Sequence, residues 1–323
     1  MVISICIANY NKWNAIIECL DSIKKYEWSN KIEIVIVDDC STDNSEKIIK
    51  TWINNNPDIK VVFEKNMKNS GPWFTYNHTL NLSHGQYISI IDSDDFLISS
   101  SLKEKLEYFN QNPELKIVYW NGTFFENDEL NWLSIHKNIF NLFKKCNFVP
   151  REIFWKICCK VPTLLYTSCL IDKKFLDKIW WFDEDCYSND YILSLKIFNN
   201  LKSPEEFTFD DRICFWYRVD ANNISKNYDR ILLMLKEVLD KYCPDDLKNL
   251  WYSNIYFTNA LSNITIWQYK KAFSSMKTSI HYQFSIKKIV LFLCSCLVPY
   301  KLINRIPPKT LQWIKSKILT DFQ

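Results

Sequence analysis

Apolar residues fall along this chain in two rhythms. Val2–Ala8, Ile32–Val37 and Tyr87–Ile91 are near-continuous apolar runs of strand length, the texture of strands covered on both faces. Between the first two, Trp13, Ile16, Ile17, Leu20 and Ile23 recur at helical spacing behind Asn11, a residue suited to cap a helix. Ile48, Ile49, Trp52 and Ile53 form a second helical stripe, Lys60–Phe63 reads as a short strand, and Trp73–Leu82 as a helix. This alternation predicts βαβ units, hence an α/β fold with a mainly parallel sheet and helices on both faces. From Leu102 the pattern loosens into a helix to Asn110, a strand at Ile117–Trp120, a strand at Thr163–Ile171, a helix at Tyr191–Phe198 and a strand at Ile213–Val219. Beyond Ser225 only helical spacing remains, beginning with Ile231, Leu232, Leu235, Val238 and Leu239. The reading divides the chain into an α/β domain over 1–225 and a helical region over 226–323.

In open α/β sheets, ligands bind outside the carboxyl ends of the strands. Three polar clusters, Ala8–Asn11, Asp38–Asp43 and Asp92–Asp95, each begin where a predicted strand stops. They are expected to line one crevice.

Composition narrows the chemistry. The 323 residues are 47% hydrophobic and 16% aromatic, enough to bury a large core and to exclude general disorder. The three glycines, Gly71, Gly85 and Gly122, cannot write G-x-G-x-x-G or G-x-x-x-x-G-K-[ST], so the usual Gly-rich loops for dinucleotides and NTP phosphates are absent. The 12 cysteines include no C-x-x-C, and several lie inside apolar runs, which reads as buried thiols in a reducing cytoplasm. The N-terminal run has no basic segment before it and turns polar at once, as a first strand does and a signal peptide does not.

The formal charge of +3 hides a split. Residues 1–246 carry 29 basic and 36 acidic side chains, whereas 247–323 carry 11 basic residues and one acid, Asp321. Apolar residues and Trp interleaved with Lys and Arg, without acids, suit a helix lying in the interface of an anionic membrane. A helical bundle with a solvated basic face is the plainer alternative. No nucleic-acid recognition motif is present, so nucleic acid is not expected as a partner. The longest apolar run, Ile289–Val298, is about ten residues and too short to span a bilayer as a helix.

Two clusters carry the candidate chemistry. In Ile91-Asp92-Ser93-Asp94-Asp95 three carboxylates within four residues repel one another unless a cation shares them, and Mg²⁺ or Mn²⁺ is commonly held by one or two carboxylates plus substrate phosphates. A polar turn capping the next helix is the bland reading. In Val37-Asp38-Asp39-Cys40-Ser41-Thr42-Asp43, Asp39 at a strand end is placed to accept a hydrogen bond from a base or ribose, while Ser41 or Asp43 suits a helix cap.

Taken in order, I-S-I-C-I-A-N-Y-N, V-I-V-D-D-C-S-T-D-N-S, N-S-G-P-W-F-T-Y-N, H-G-Q-Y-I-S-I-I-D-S-D-D and W-F-D-E-D resemble the ordered motifs of family-2 glycosyltransferases over roughly residues 1–225. The resemblance implies a GT-A fold, with a nucleotide-sugar half over 1–100 and an acceptor half over 101–225. It implies a bacterial enzyme moving one sugar, with inversion, from a nucleotide-diphosphate sugar, most often a UDP-sugar, to a surface glycan or lipid-linked oligosaccharide. Carried over by position, Ala8, Asn9 and Tyr10 line the nucleoside pocket and Asp39 binds the base. Asp92-Ser93-Asp94 is the D-x-D motif, with Asp92 and Ser93 toward the donor and Asp94 on Mn²⁺ or Mg²⁺. Asp190 stands as the catalytic base and Arg218 as a diphosphate clamp.

Three departures accompany the resemblance. Tyr76 precedes Asn77 where the family commonly has Arg, Asn189 precedes Asp190 where an acid is frequent, and Asp220 stands where a His often completes the metal or diphosphate site. Asp220 is a metal-ligand candidate on that basis, with a solvated loop acid as the alternative. The departures also leave room for a non-catalytic binding relative; a sugar-nucleotidyltransferase would need the Gly-rich loop this chain lacks. The aromatic block from Phe124 to Pro162 is the expected acceptor surface, with aromatic core as its alternative. The whole predicts a cytoplasmic enzyme, peripheral at the inner face of the membrane.

Overall fold

A computed structural model describes residues 3–26, 31–97, 102–126, 129–134, 137–160, 166–186, 188–218, 228–265 and 268–297, with some side chains inside these spans left undescribed. The chain forms two compact units, 1–155 with 162–221, and 156–161 with 222–323.

In the first unit, β1 (Ile3–Asn9), β2 (Ile32–Asp38), β3 (Val61–Lys65) and β4 (Tyr87–Ile90) alternate with α1 (Ile16–Tyr26), α2 (Ser45–Asn54) and α3 (Pro72–Leu82). β1 pairs in parallel with β2 on one side and β4 on the other, and β3 extends the parallel set beyond β2. Every residue of β2 is buried, which is why its run lacks alternation. The register sets Asn9 beside Asp38 and Cys6 beside Ile90, so continuing β4 by two residues brings Asp92 level with Ala8. Sequence and register thus deliver the three polar clusters to one edge of the sheet.

Helix α1 starts later than its apolar spacing implies. Asn11 takes a left-handed φ of 52°, and its side chain accepts the Thr42 backbone N–H at 2.8 Å. It therefore ties two loops together and does not cap the helix.

The second half of the sheet is mixed. It comprises β5 (Phe96–Leu97), β6 (Ile117–Glu126), β7 (Glu129–Ser134), β8 (Cys169–Asp172) and β9 (Phe207–Arg218), with α4 (Leu102–Gln111), α5 (Lys137–Lys145), α7 (Lys173–Lys178) and α8 (Asn189–Asn200) around it, while α6 (Pro150–Lys160) has residues in both units. β8 runs antiparallel between β4 and β6, β9 is parallel to β6, and β5 and β7 close antiparallel edges. The sheet order is β3-β2-β1-β4-β8-β6-β9-β5, with β7 on β6. The strand expected over Thr163–Ile171 is described only from Cys169, after a 3-10 turn at Tyr166–Ser168. That turn carries a residue of the site.

Two close contacts fix this frame. A Cβ on Gly85 would lie 2.4 Å from the Ser4 backbone nitrogen, so β4 begins against β1 with no room for a side chain. Lys105 of α4 is fully buried and pairs with Asp210 of β9 at 2.5 Å, where Arg212 also engages the same carboxylate. Burial of the lysine is tolerable because the charge is paired on the spot.

The second unit is helical where described: α9 (Tyr228–Tyr242), α10 (Asp245–Thr265), α11 (Tyr269–Tyr282) and α12 (Ile286–Leu297). Phe257, Ala260 and Ile264 of α10 pack with Ala272 and Met276 of α11 and Phe292 of α12. No described helix is long and apolar enough to cross a membrane.

Candidate active site

The turn after β1 and the turn after β2 are welded by side chains. Asn9 donates to Asp38 at 2.8 Å, and Asp38, fully buried, accepts both the Ser41 backbone N–H at 2.9 Å and its hydroxyl at 2.6 Å. Asp43 accepts the Ser45 N–H at 2.9 Å at the start of α2 and the Trp13 N–H at 3.3 Å. Of the expected nucleoside-pocket residues, Asn9 is buried in this weld, Ala8 is half-buried, and Tyr10 is exposed. Asp39 is 3% exposed, and its carboxylate accepts Asn66 Nδ2 at 2.8 Å and the backbone N–H groups of Ser70 and Gly71 at 2.9 Å each. It anchors the loop that leads into α3, where Gly71 has a φ of 87° that favours glycine.

The acidic turn lies across the end of β4. Asp95 N–H bonds to Asp92 O at 3.0 Å, closing the turn around a buried Ser93. Its three carboxylates meet three environments. Asp92 Oδ1 accepts the hydroxyls of Tyr76 and of Tyr166, the latter at 2.8 Å. Asp94 is partly exposed and pairs with Lys12 Nζ at 2.5 Å. Asp95 is buried; Oδ1 accepts the Arg218 backbone N–H at 3.0 Å, and Oδ2 has no hydrogen-bond partner among the described residues.

Burial, reinforced by the Asp94 charge, raises Asp92 to about 6, against the two tyrosine hydrogen bonds and Lys12, which lower it. Burial also raises Asp95 well above the carboxylate range, with Asp92 and Asp94 adding to the effect. Three clustered acids in a half-dry turn cannot all ionise freely.

Asp190 sits in the first turn of α8, where the helix dipole favours a carboxylate. Burial and the nearby Asp92 charge outweigh that and raise it to about 7, although a 3.4 Å bond from Tyr166 N–H pulls the other way. Tyr166 thus touches both acids, through its hydroxyl to Asp92 and its backbone N–H to Asp190. Trp73 stacks on Phe182 at 5.4 Å and meets Tyr166 edge-on at 5.9 Å, forming an aromatic wall beside this pair.

The W-F-D-E-D segment is held by two asparagines. Asn77 of α3 accepts the Phe182 N–H at 3.1 Å and donates to its carbonyl at 3.0 Å. Asn189 brackets Asp183 in the same way, at 2.6 and 2.7 Å, and also donates to Cys186 O at 2.8 Å. The departures at Tyr76 and Asn189 therefore have structural partners: one hydroxyl on Asp92, one amide fastening the loop ahead of Asp190.

Arg218 donates from Nε to Asp94 O at 3.0 Å, reaches Glu18 at 2.5 Å, and lies over the Phe96 ring at 5.6 Å. Its guanidinium braces the acidic turn. Asp220 lies outside the described residues, as do the side chains of 124–139 and much of the expected acceptor block.

Among the described residues no three His, Cys, Asp or Glu side chains converge on one cation position. The acidic turn instead offers Asp94, which already carries a cationic partner in Lys12. With Lys12 displaced from it, that single carboxylate fits a divalent ion completed by phosphate oxygens, and the turn does not fit an all-protein cage. Lys12, Tyr166 and the Trp73–Phe182 wall were not singled out by the sequence. Lys12 follows directly on the A-N-Y-N motif, whereas nothing in the spacing around Tyr166 signals its double contact.

Known proteins agree with this architecture. The glycosyl transferase family 2 profile matches residues 4–180, more than half of the chain. An uncharacterised glycosyltransferase of Methanocaldococcus jannaschii is 24% identical over 83% of this chain and 84% of its own. The abequosyltransferase RfbV of Salmonella typhimurium is 32% identical over 54% of this chain and 53% of its own, about half its length. The crystal structure of Staphylococcus aureus TarS 1–349 with UDP-GlcNAc superposes with a TM-score of 0.61 at 17% identity, covering 92% of this chain and 88% of that one. The mannosyltransferase PcManGT of Pyrobaculum calidifontis, solved with GDP-Man and Mn²⁺, gives 0.60 at 15% identity, covering 98% and 84%. The fold is the expected GT-A fold, and the chain belongs to glycosyl transferase family 2 as a glycosyltransferase.

Proposed function

We propose that this enzyme transfers a single sugar, with inversion, from a nucleotide-diphosphate sugar, UDP-linked by preference, to a surface or lipid-linked glycan. The observation that carries the reading is Tyr166, which binds the candidate base Asp190 and the donor-side acid Asp92 at once. Asp190 takes the acceptor hydroxyl proton as that oxygen attacks the anomeric carbon. The bond from the anomeric carbon to the diphosphate breaks on the opposite face, and the nucleoside diphosphate leaves with the electron pair. Asp94 is the carboxylate for Mn²⁺ or Mg²⁺, with Asp220 as the second candidate; such an ion offsets the charge of the leaving diphosphate. Tyr76 and Tyr166 keep Asp92 oriented, and Arg218 holds the turn that presents Asp94. The UDP-GlcNAc and GDP-Man complexes of the two structural relatives support a nucleotide-sugar donor. The relative WfaP of Escherichia coli, 26% identical over 74% of this chain, is named for glucosyl transfer from UDP-Glc to a diphosphoundecaprenol-linked acceptor, which supports a lipid-linked one. Calorimetric titration with UDP, GDP and CDP in the presence of Mn²⁺ tests the donor class. Tight binding of UDP is expected, and no binding of any of the three would refute the reading.

The acceptor side of the proposal is an anionic membrane, at which the enzyme works as a peripheral protein of the cytoplasmic face. The outward stripe of α12 supports it: Ile286 is 68% exposed, Val290 51% and Leu293 49%, with Lys287 as their exposed neighbour. On α11 Phe273 is 53% exposed among the exposed Lys270, Lys271 and Lys277. Solvent-facing helix stripes are ordinarily polar; apolar residues framed by lysines match an acidic lipid interface. Sedimentation with phosphatidylglycerol vesicles should capture the protein, and Val290→Asp should weaken capture. Equal capture by neutral and acidic vesicles would remove the anionic preference, and no capture by either would remove the lipid partner.

A further inference from the structure

The motif reading leaves Lys12 without a role, yet the loop that carries it is closely fixed. Asn11 N–H bonds to Ser41 Oγ at 2.9 Å, and Asn11 Oδ1 accepts the Thr42 N–H at 2.8 Å. On the other side, the Lys12 carbonyl accepts the N–H groups of Ala15 and Ile16 at 3.0 Å each, and Trp13 N–H bonds to Asp43. The backbone on both flanks is pinned, and the stem delivers Nζ to Asp94 Oδ2 at 2.5 Å across 82 residues of sequence. The two side chains are 36% and 23% exposed.

A partly exposed ion pair of this kind contributes on the order of 1 kcal/mol to stability, so stability alone is a weak account of such a fixed loop. Its location carries more weight. Asp94 is a partly exposed acid in a turn where Asp95 is buried and Asp92 Oδ1 is taken by two tyrosine hydroxyls. An ammonium bonded to its Oδ2 stands where a divalent cation would approach, and two cations on one carboxylate repel. The ammonium sits on a flexible four-carbon stem, able to leave one oxygen for another without moving the loop; an arginine fork would hold on by two bonds.

We propose that Lys12 is the built-in counter-cation of Asp94: it holds that carboxylate in the donor-free enzyme, competes there with the divalent ion, and passes to the diphosphate when the nucleotide arrives. Metal affinity then depends on nucleotide, and by linkage nucleotide affinity depends on metal. The inference rests on the reading of Asp94 as the metal carboxylate.

The test is Mn²⁺ binding to the full chain by loss of the free-ion EPR signal, with and without UDP, in wild type, Lys12→Met, Lys12→Gln and Asp94→Ala. Thermal melts confirm that each variant is folded. Both Lys12 variants should bind Mn²⁺ without UDP about tenfold more tightly than wild type, a size ordinary for coupled sites. UDP should enhance Mn²⁺ binding less in the variants than in wild type. Titration of UDP in EDTA should show weaker binding to both variants, because the ammonium that would meet the diphosphate is gone. Unchanged UDP-free Mn²⁺ affinity in both, with UDP-dependent binding intact, overturns the role of Lys12 alone. Undiminished Mn²⁺ binding by Asp94→Ala, or none by wild type even with UDP, overturns the metal reading and this inference with it.

Discussion

Replacing Asp190 by Asn should make the fold more stable at pH 8 than at pH 5, relative to wild type. Burial and the charge of Asp92 move this carboxyl from 3.8 to about 7 in the folded protein. A folded value above the unfolded one means that the acid favours folding below pH 3.8 and progressively loses that contribution until pH reaches about 7. From pH 5 to pH 8 the loss covers roughly two units, or about 3 kcal/mol at about 1.4 kcal/mol per unit. The cost of burying the amide is the same at both pH values and drops out of the comparison. For a unit of this size, about 2–4 °C per kcal/mol turns that into a melting-temperature gap that widens by about 6–12 °C. Differential scanning fluorimetry of both proteins at pH 5 and pH 8, in buffers of matched ionic strength, measures it directly. A gap that stays constant across that range would mean that Asp190 is not a half-buried carboxyl held up by desolvation and by Asp92, and the site would be wrong.

Three further perturbations address separate parts of the structure. Tyr166→Phe removes one of the two hydroxyls that favour ionised Asp92; the midpoint of the Asp92 carboxyl carbon in an NMR titration should move to higher pH, and an unmoved midpoint would refute the contact. Gly85→Ala pushes a Cβ to 2.4 Å from the Ser4 backbone nitrogen; urea unfolding should show a loss of about 3 kcal/mol, and wild-type stability would refute the close approach. Lys288 is buried in the helical unit with Nζ 2.7 Å from Ser253 Oγ, and burial lowers it to about 8. Its folded value is below its unfolded 10.5, so the penalty is full below pH 8 and vanishes as pH rises through 10.5; Lys288→Met should stabilise the protein at pH 7 by about 2 kcal/mol, and no gain would refute the burial.

What was legible in the sequence was what depends on strands and their ends. Ile3–Ile7 and Ile32–Val37 are buried on both faces, so continuous apolar runs announced them, and parallel pairing brought Asn9, Asp38 and the turn at Asp92 to one edge. The later half was harder to read because its strands are mixed in direction and its register is broken. β9 gains extra residues against β6 around Asn121 and Gly122, a local choice that no periodicity records. Asn11 has the side chain of a helix cap, but the neighbouring β2–α2 loop offers it a stronger partner in Thr42. Position alone does not report how far an acid is already engaged. Asp39 stands at a strand end as a nucleoside-binding acid should, yet three donors from the 66–71 loop already fill much of its capacity. Tyr166 was invisible because its function comes from two atoms, hydroxyl and backbone N–H, facing two acids that are distant in sequence.

The central claim is that Asp190 deprotonates an acceptor while a nucleotide-diphosphate sugar is held at Asp92 and Asp94. Its most direct measurement is nucleoside-diphosphate release from a panel of sugar donors with a lipid-linked glycan acceptor, comparing wild type with Asp190→Asn at pH 8. The account predicts acceptor-dependent release by wild type and a kcat at least about 100-fold lower in the variant, with UDP affinity unchanged. Equal turnover by the two proteins would contradict it.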